Sequence, residues 1–260
     1  MGIRPTGTAL AGLTLGLMLG LARPLPAMDF PGPDPGKAQG EKTASRYLSL
    51  SNQALRLSWS TFGGRLVPAT LRDRLAGRDL EPAKEAFVLE FHDGTRLKAS
   101  RMQASGFKVE SVPGMPNAVG EAERIPGQRV SALLEATDGL LHVEWQATLR
   151  DGSNYVRQEI AITPRKGAAD LAKVVMVDHW LPGADIVGRV GGSPVVAGTV
   201  FTGFEHPMSV ARLEAGGFPR IVPVPGSEDS PLAPDRPAVR ESPEAAPRWA
   251  KAHVQCWLEL

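Results

Sequence analysis

The chain is poor in cysteine, with Cys256 as the single example among 260 residues. A framework of internal disulfides is therefore excluded, and the fold has to be held by its hydrophobic core. Cys256 lies in the apolar stretch V-Q-C-W-L, which favours a buried small side chain over a nucleophile. Hydrophobic residues make up 42% of the chain, which is enough to bury a large core.

The sequence also lacks an excess of charge of either sign. Its 29 basic and 28 acidic residues give a net charge of +1, without any block of lysine or arginine. This balance argues against nucleic acid or an anionic membrane surface as a partner. The apolar run Thr8–Leu21 is shorter than the roughly 20 residues that a membrane-spanning helix needs. We therefore expect a neutral partner, no nucleic acid and no membrane.

Motifs of several enzyme classes are missing as well. The sequence has no G-x-S-x-G elbow and no G-x-G-x-x-G fingerprint, which argues against a serine hydrolase and a dinucleotide-binding enzyme. Its histidines show no H-E-x-x-H or comparable ligand spacing, so we expect neither a metal site nor a cofactor. These histidines are His92, His142, His179, His206 and His253.

Glycoside hydrolysis needs two carboxylates that face each other across a cleft. Asp178, Glu205 and Glu144 are the candidates, but no pair lies at the ends of parallel strands. We predict that Asp178 and Glu144 are solvent-facing strand residues and that this chain carries no catalytic residue.

The N-terminus has the order of a secretory signal, in which a basic residue, the apolar run Thr8–Leu21 and small residues follow one another. We assign residues 1–27 to a signal peptide cleaved after Ala27, with Ala22 as an alternative cleavage position. We therefore expect the protein to be secreted or periplasmic. Residues 28–45 are rich in proline and glycine, which predicts a disordered leader.

Beyond residue 45 apolar and polar residues alternate with period two, which predicts strands with one buried face. The pairs Asp93-Gly94, Asp138-Gly139 and Asp151-Gly152 predict hairpin turns, because aspartate-glycine turns suit antiparallel strands. The last two turns make residues 130–163 a three-stranded meander. Further strands are predicted at residues 172–181, 194–201 and 249–260, and a proline-rich irregular loop at residues 219–247.

Residues 46–260 are therefore predicted to form one all-β domain, a large antiparallel β-sandwich with few or no helices. The last residues, A-H-V-Q-C-W-L-E-L, are strand-like and apolar and contain no closing turn. We expect from this that the chain is a truncated piece of a longer protein.

The segment F-E-H-P at Phe204–Pro207 follows an apolar strand and places an acid and an imidazole beside aromatic rings. Such a cluster suits contact with a sugar, because a pyranose ring packs on an aromatic face. The alternative is a turn in which His206 hydrogen-bonds a carbonyl while Phe201 and Phe204 fill the core. Trp180 either stacks on a sugar or packs inside. The candidate substrate-binding residues are Phe204, Glu205, His206 and Trp180.

Several stretches of the chain resemble a known family. They are Ser51–Leu66, Leu71–Leu80, Leu149–Ile160 and Ser193–Met208, of which F-x-G-F-E-H-P in the last is the most specific. Together they resemble the N-terminal domain of secreted bacterial glycoside hydrolases akin to alpha-galactosidases and endo-alpha-N-acetylgalactosaminidases, some of which are labelled enterotoxins. The resemblance implies a galactose-mutarotase-like β-supersandwich, followed in the same polypeptide by a (β/α)8 barrel that bears the catalytic carboxylates.

Because no barrel is present here, the resemblance implies a carbohydrate-associated module that lines a substrate site and is inactive alone. Its parent protein is expected to be a glycosidase, and its partners are carbohydrate and the C-terminal catalytic barrel. Two other functions remain open. One is a stand-alone sugar mutarotase (aldose epimerase) with Glu205 and His206 as the acid/base pair. The other is a purely structural or binding domain.

Overall fold

A computed structural model describes residues 33–215, except 45, 166, 168, 191 and 207, and residues 251–259. This part of the chain forms 17 β-strands and three short 3₁₀ turns, without an α-helix. All pairings between the strands are antiparallel, so the prediction of an all-β fold with few or no helices is confirmed. The finer supersandwich assignment stays a prediction. The predicted signal peptide and the loop at residues 219–247 lie outside the described residues.

In chain order the strands are β1 (Gln39–Thr43), β2 (Tyr47–Ser51), β3 (Leu55–Ser60), β4 (Val67–Asp73), β5 (Arg78–Leu80), β6 (Val88–Phe91), β7 (Arg96–Lys98), β8 (Gln103–Val112), β9 (Gly127–Glu135), β10 (Leu141–Arg150), β11 (Val156–Pro164), β12 (Leu171–Pro182), β13 (Asp185–Ile186), β14 (Val195–Ala197), β15 (Val200–Thr202), β16 (Ser209–Ala215) and β17 (Lys251–Glu259). The 3₁₀ turns are Phe62–Gly64, Ala99–Arg101 and Glu121–Arg124. The strands form four sheets with the orders β1-β2-β3-β4-β5, β11-β10-β9-β8, β16-β17-β12-β6-β7 and β13-β14-β15.

The first sheet corrects the predicted start of the folded domain. The leader was expected to be disordered as far as residue 45, but residues 39–43 form β1, which pairs with β2 along its whole length. The sequence of β1, Q-G-E-K-T, is polar and mostly exposed. Backbone hydrogen bonds to β2 hold this strand rather than an apolar face of its own, so period-two alternation could not reveal it.

The second sheet contains the predicted meander, which is confirmed. β9, β10 and β11 are joined by tight turns at Gly139 and Gly152, whose φ angles of 68° and 67° are left-handed and suit glycine. The Asp93-Gly94 turn likewise joins β6 to β7. At residues 194–201 the structure differs from the prediction of one strand. Gly198, with φ at 62°, turns the chain there and divides the segment into β14 and β15.

The buried apolar side chains of the described residues form a main core, a small core and a minor cluster of Val88 and Val175. The main core takes buried side chains from the first three sheets, and at its centre the Trp59 and Trp145 rings meet edge to face with centroids 5.0 Å apart. The small core lies on one face of β12 and β17. Its buried members are Leu181, Val195, Ala197, Val254 and Cys256.

Candidate functional site

The third sheet carries a row of polar side chains on the face that points away from the small core. β17 lies between β12 and β16, and its residue His253 is directly opposite Trp180 on one side and Glu214 on the other. Directly opposed residues point to the same face of a sheet, as do residues two apart on one strand. Asp178 therefore shares the face of Trp180. We call the set of Lys84, Asp178, Trp180, Glu214 and His253 the Trp180 face.

Both ring nitrogens of His253 have carboxylate partners. Its Nε2 lies 2.7 Å from Oδ1 of Asp178, and its Nδ1 lies 3.5 Å from Oε2 of Glu214. The Nζ of Lys84 lies 3.8 Å from the same Asp178 oxygen and 3.4 Å from His253 Nε2. The Asp178 carboxylate therefore contacts both the His253 imidazole and the Lys84 ammonium group, and the Glu214 carboxylate contacts the imidazole from its other side.

Asp178 is buried, so the prediction that it faces solvent is wrong. The reason is β17, a strand from much later in the chain that pairs alongside Asp178 and brings His253 over its carboxylate. Glu144 is exposed on β10, as predicted.

Trp180 is half-buried and lies in this polar network rather than inside a core. Its ring stacks on the His253 ring with centroids 4.8 Å apart and planes at 24°. Lys84 Nζ lies 4.8 Å from the centroid of the same indole, within the range of a cation–π contact. The indole therefore holds the imidazole and the ammonium group in place, and it presents apolar surface next to fixed polar groups.

The neighbour of these residues on β12, His179, points the other way and is buried. Its Nε2 donates a hydrogen bond to the backbone carbonyl of Glu81. Desolvation by burial lowers the pKa of His179 below its ordinary value, although the Glu81 carbonyl and nearby acids act in the opposite direction. His179 is thus a neutral, satisfied imidazole that belongs to the scaffold.

The predicted cluster at residues 204–206 forms a tight turn before β16. The His206 Nδ1 accepts the backbone N–H of Met208 at 3.1 Å, and the Ser209 hydroxyl lies 2.7 Å from the His206 carbonyl oxygen. The Phe204 ring packs against the small core, whereas Phe201 is exposed. Glu205 is exposed, with its Oε2 3.0 Å from Nε of Arg157. Pro207 lies outside the described residues.

The four candidate residues therefore do not form one site. β16 begins at Ser209, opposite Leu258, while His253 lies five residues further along β17. At about 3.4 Å per residue this separation is about 17 Å along the strand. The turn with Phe204, Glu205 and His206 lies at one end of the sheet, and Trp180 lies at the other with Asp178 and His253.

Three residues of the Trp180 face were not among the sequence candidates, namely Lys84, Glu214 and His253. Within the described ranges no group of three or more histidine, cysteine, aspartate or glutamate side chains is placed to hold a metal ion. A search of the same ranges for a helix long and apolar enough to cross a membrane finds none.

Comparisons of the chain with protein-family models, with curated proteins and with solved structures each give no match. The resemblance to glycoside hydrolase N-terminal domains therefore stays a prediction.

Proposed function

We propose that this chain is a carbohydrate-associated β-module of an exported glycoside hydrolase, and that it contacts sugar through the Trp180 face. The observation that carries the proposal is the half-buried indole of Trp180 beside the hydrogen-bonded Asp178–His253 pair. Sugar sites combine an apolar ring surface with a few fixed polar groups that meet the hydroxyls. Both components are present here on one side of a sheet.

The same geometry favours binding over catalysis. Asp178 and Glu214 contact opposite nitrogens of one imidazole, so His253 fills the space that a glycosidic bond and its water would need. Both nitrogens of His253 face carboxylates of the chain itself, and neither is directed at a position for a sugar hydroxyl. In the proposal, the catalytic carboxylates come from the barrel of the same polypeptide, and this module lines the substrate site.

A binding measurement tests the proposal. The purified chain is titrated with galactose and with an α-galactoside while tryptophan fluorescence and amide NMR shifts are followed. Trp180→Ala should weaken binding about tenfold, because the variant loses the stacking surface and loosens His253. Phe62→Ala is the matched control, since Phe62 is an exposed aromatic far from this network in the sequence and 65% accessible.

Two outcomes would overturn the proposal. One is equal binding by the Trp180→Ala variant and the unchanged chain, and the other is absence of binding to every neutral sugar tried. Polarimetry on α-galactose tests the mutarotase alternative in the same samples. An accelerated change of optical rotation that is lost in Glu205→Gln would make the chain an epimerase instead.

A further inference from the structure

A second polar site lies on the outer face of the second sheet. The strand register places Thr148 of β10 between Arg129 of β9 and Arg157 of β11. Glu110 of β8 is opposite Arg129 on the far side. Because directly opposed residues share a face, an acid, an arginine, a hydroxyl and a second arginine follow one another across all four strands. We call this row and the space above it the arginine cleft.

Each arginine in the row has an acid on its outer side. Arg129 donates from Nε to the Thr148 hydroxyl at 3.3 Å, and its Nη1 lies 3.6 Å from Oε1 of Glu110. Arg157 places its Nε 3.0 Å from Oε2 of Glu205 and 3.8 Å from Oε1 of Glu159. The acids lie beside the two guanidinium groups, and the closest contacts of Arg157 use only Nε. A guanidinium has five N–H donors, so its terminal nitrogens retain donors for a further acceptor.

The space above the row is a cleft of about 200 Å³. Its size suits one sugar ring rather than an extended oligosaccharide. Polar side chains from the second half of β10, from the start of β11 and from β9 line it, and they provide donors and acceptors for hydroxyls. Those that bear on the ligand are Arg129, Gln146, Thr148, Tyr155, Arg157 and Glu159.

We infer that the arginine cleft binds an acidic sugar, a single uronic acid unit, with Arg129 and Arg157 as the contacts to its carboxylate. The inference rests on the proposed function, in that the ligand is a carbohydrate. The two guanidinium groups flank Thr148, so a carboxylate above that hydroxyl is within reach of both. Charge-assisted bonds from arginine to carboxylate are the strongest that such a surface offers, and they discriminate an acidic sugar from a neutral one.

Glu205 already places a carboxylate beside Arg157, and this guanidinium is therefore able to donate to a carboxylate. The side chains of Glu205 and Arg157 are 62% and 42% exposed, and ion pairs so accessible to water contribute little. A ligand carboxylate that also reaches Arg129 is therefore able to replace Glu205. In this arrangement Glu205 competes with the sugar, in contrast to the substrate-binding role that the sequence predicted for it.

The experiment is an NMR titration of the full chain with galacturonate and, in parallel, with galactose. Arg157→Ala should weaken galacturonate binding about tenfold, since a charged hydrogen-bond donor is lost. Glu205→Gln should strengthen it about two- to fivefold, because the competing charge is removed. Arg165→Ala is the matched control. Arg165 pairs with Glu135 on the same sheet at 3.2 Å, outside the cleft, and its loss should change nothing.

Arg157→Lys keeps the charge and guards against misfolding of the alanine variant. We expect it to retain the fold and to lose part of the affinity, because an ammonium group cannot bind a carboxylate with a two-pronged contact. The arginine Nε–Hε signal of Arg157 should shift with galacturonate and stay unchanged with galactose.

The outcomes separate this inference from the proposed function. Galacturonate binding that needs Arg157 but not Trp180 supports it. Galacturonate binding that is indifferent to Arg157 overturns the arginine cleft. Galactose binding without galacturonate binding also overturns the cleft, and it leaves the Trp180 face standing. Failure to bind either sugar overturns both.

Discussion

The two tryptophan environments of this protein differ in how their strands come together. Trp145 is 1% exposed in the main core, on a strand whose neighbours β9 and β11 precede and follow it directly in the chain. Trp180 is half-buried on β12, and its partner His253 comes from β17, far along the sequence. Local hairpins build the sheet that carries Trp145, although the core around its ring also takes side chains from two other sheets, whereas a long-range strand pairing builds the polar face. Scaffold and candidate site are thus products of different parts of the topology.

The strongest test of this contrast compares the two indoles. Trp145→Ala removes a fully enclosed ring and its edge-to-face contact with Trp59, so the free energy of unfolding should fall by about 3–5 kcal/mol. Trp180→Ala should lower the same quantity by about 1 kcal/mol, the usual scale of one aromatic contact. Urea denaturation followed by circular dichroism measures both. Equal losses would mean that the two environments are energetically alike and that the contrast is wrong.

A smaller effect is expected from His179, on the apolar side of β12. Its pKa is lowered in the folded state, so below the ordinary histidine pKa of about 6.5 the unfolded chain takes up a proton that the folded chain resists. Stability should therefore fall as pH drops through that value, by at most about 1.4 kcal/mol per pH unit from this group.

The matched variant is His179→Gln, whose amide is able to donate to the Glu81 carbonyl without titrating. Urea midpoints at pH 7.5 and pH 5.5 are compared for both proteins. The variant should show the smaller acid loss. An identical pH dependence in the two proteins would show that burial of His179 does not cause the loss of stability at acid pH.

The smallest expected change concerns Cys256 in the small core. Burial raises the pKa of its thiol to about 11, so very little reactive thiolate is present at pH 8. A thiol-specific reagent should label the native protein far more slowly than the urea-unfolded one, and a reductant should leave the melting temperature unchanged. Rapid labelling of the native protein would contradict this prediction. It would indicate that the small core opens readily and that it is less stable than the main core.

Much of the scaffold could be predicted from local sequence because its determinants are local. Asp138-Gly139 and Asp151-Gly152 specify tight turns, and the alternation between them specifies which side chains are buried. β1 carries no such signal, since its polar residues are held by pairing with β2. The division of residues 194–201 at Gly198 was missed because a short apolar run does not show where it turns.

The candidate site could be predicted only in part. The sequence D-H-W on β12 shows that Asp178 and Trp180 share a face, and period two in β17 gives His253 the face opposite to Val254. The sequence of neither strand specifies the register between them. That register brings His253 to Asp178, although the two residues are 75 positions apart in the sequence. The sequence predicted Glu205 and His206 as site residues from their residue types, but in the structure their partners are Arg157 of β11 and the backbone amide of Met208.

The position of β17 between β12 and β16 has a consequence for how the protein is made. During synthesis β12 and β16 leave the ribosome long before β17, and neither is able to complete its ladder of backbone hydrogen bonds until residues 251–259 arrive. The nascent chain therefore exposes an unpaired edge of β12, and β16 has no strand partner, so both are open to aggregation or to a chaperone. Addition of β17 pairs both strands and brings His253 to Asp178, so the polar face does not exist before β17 has paired.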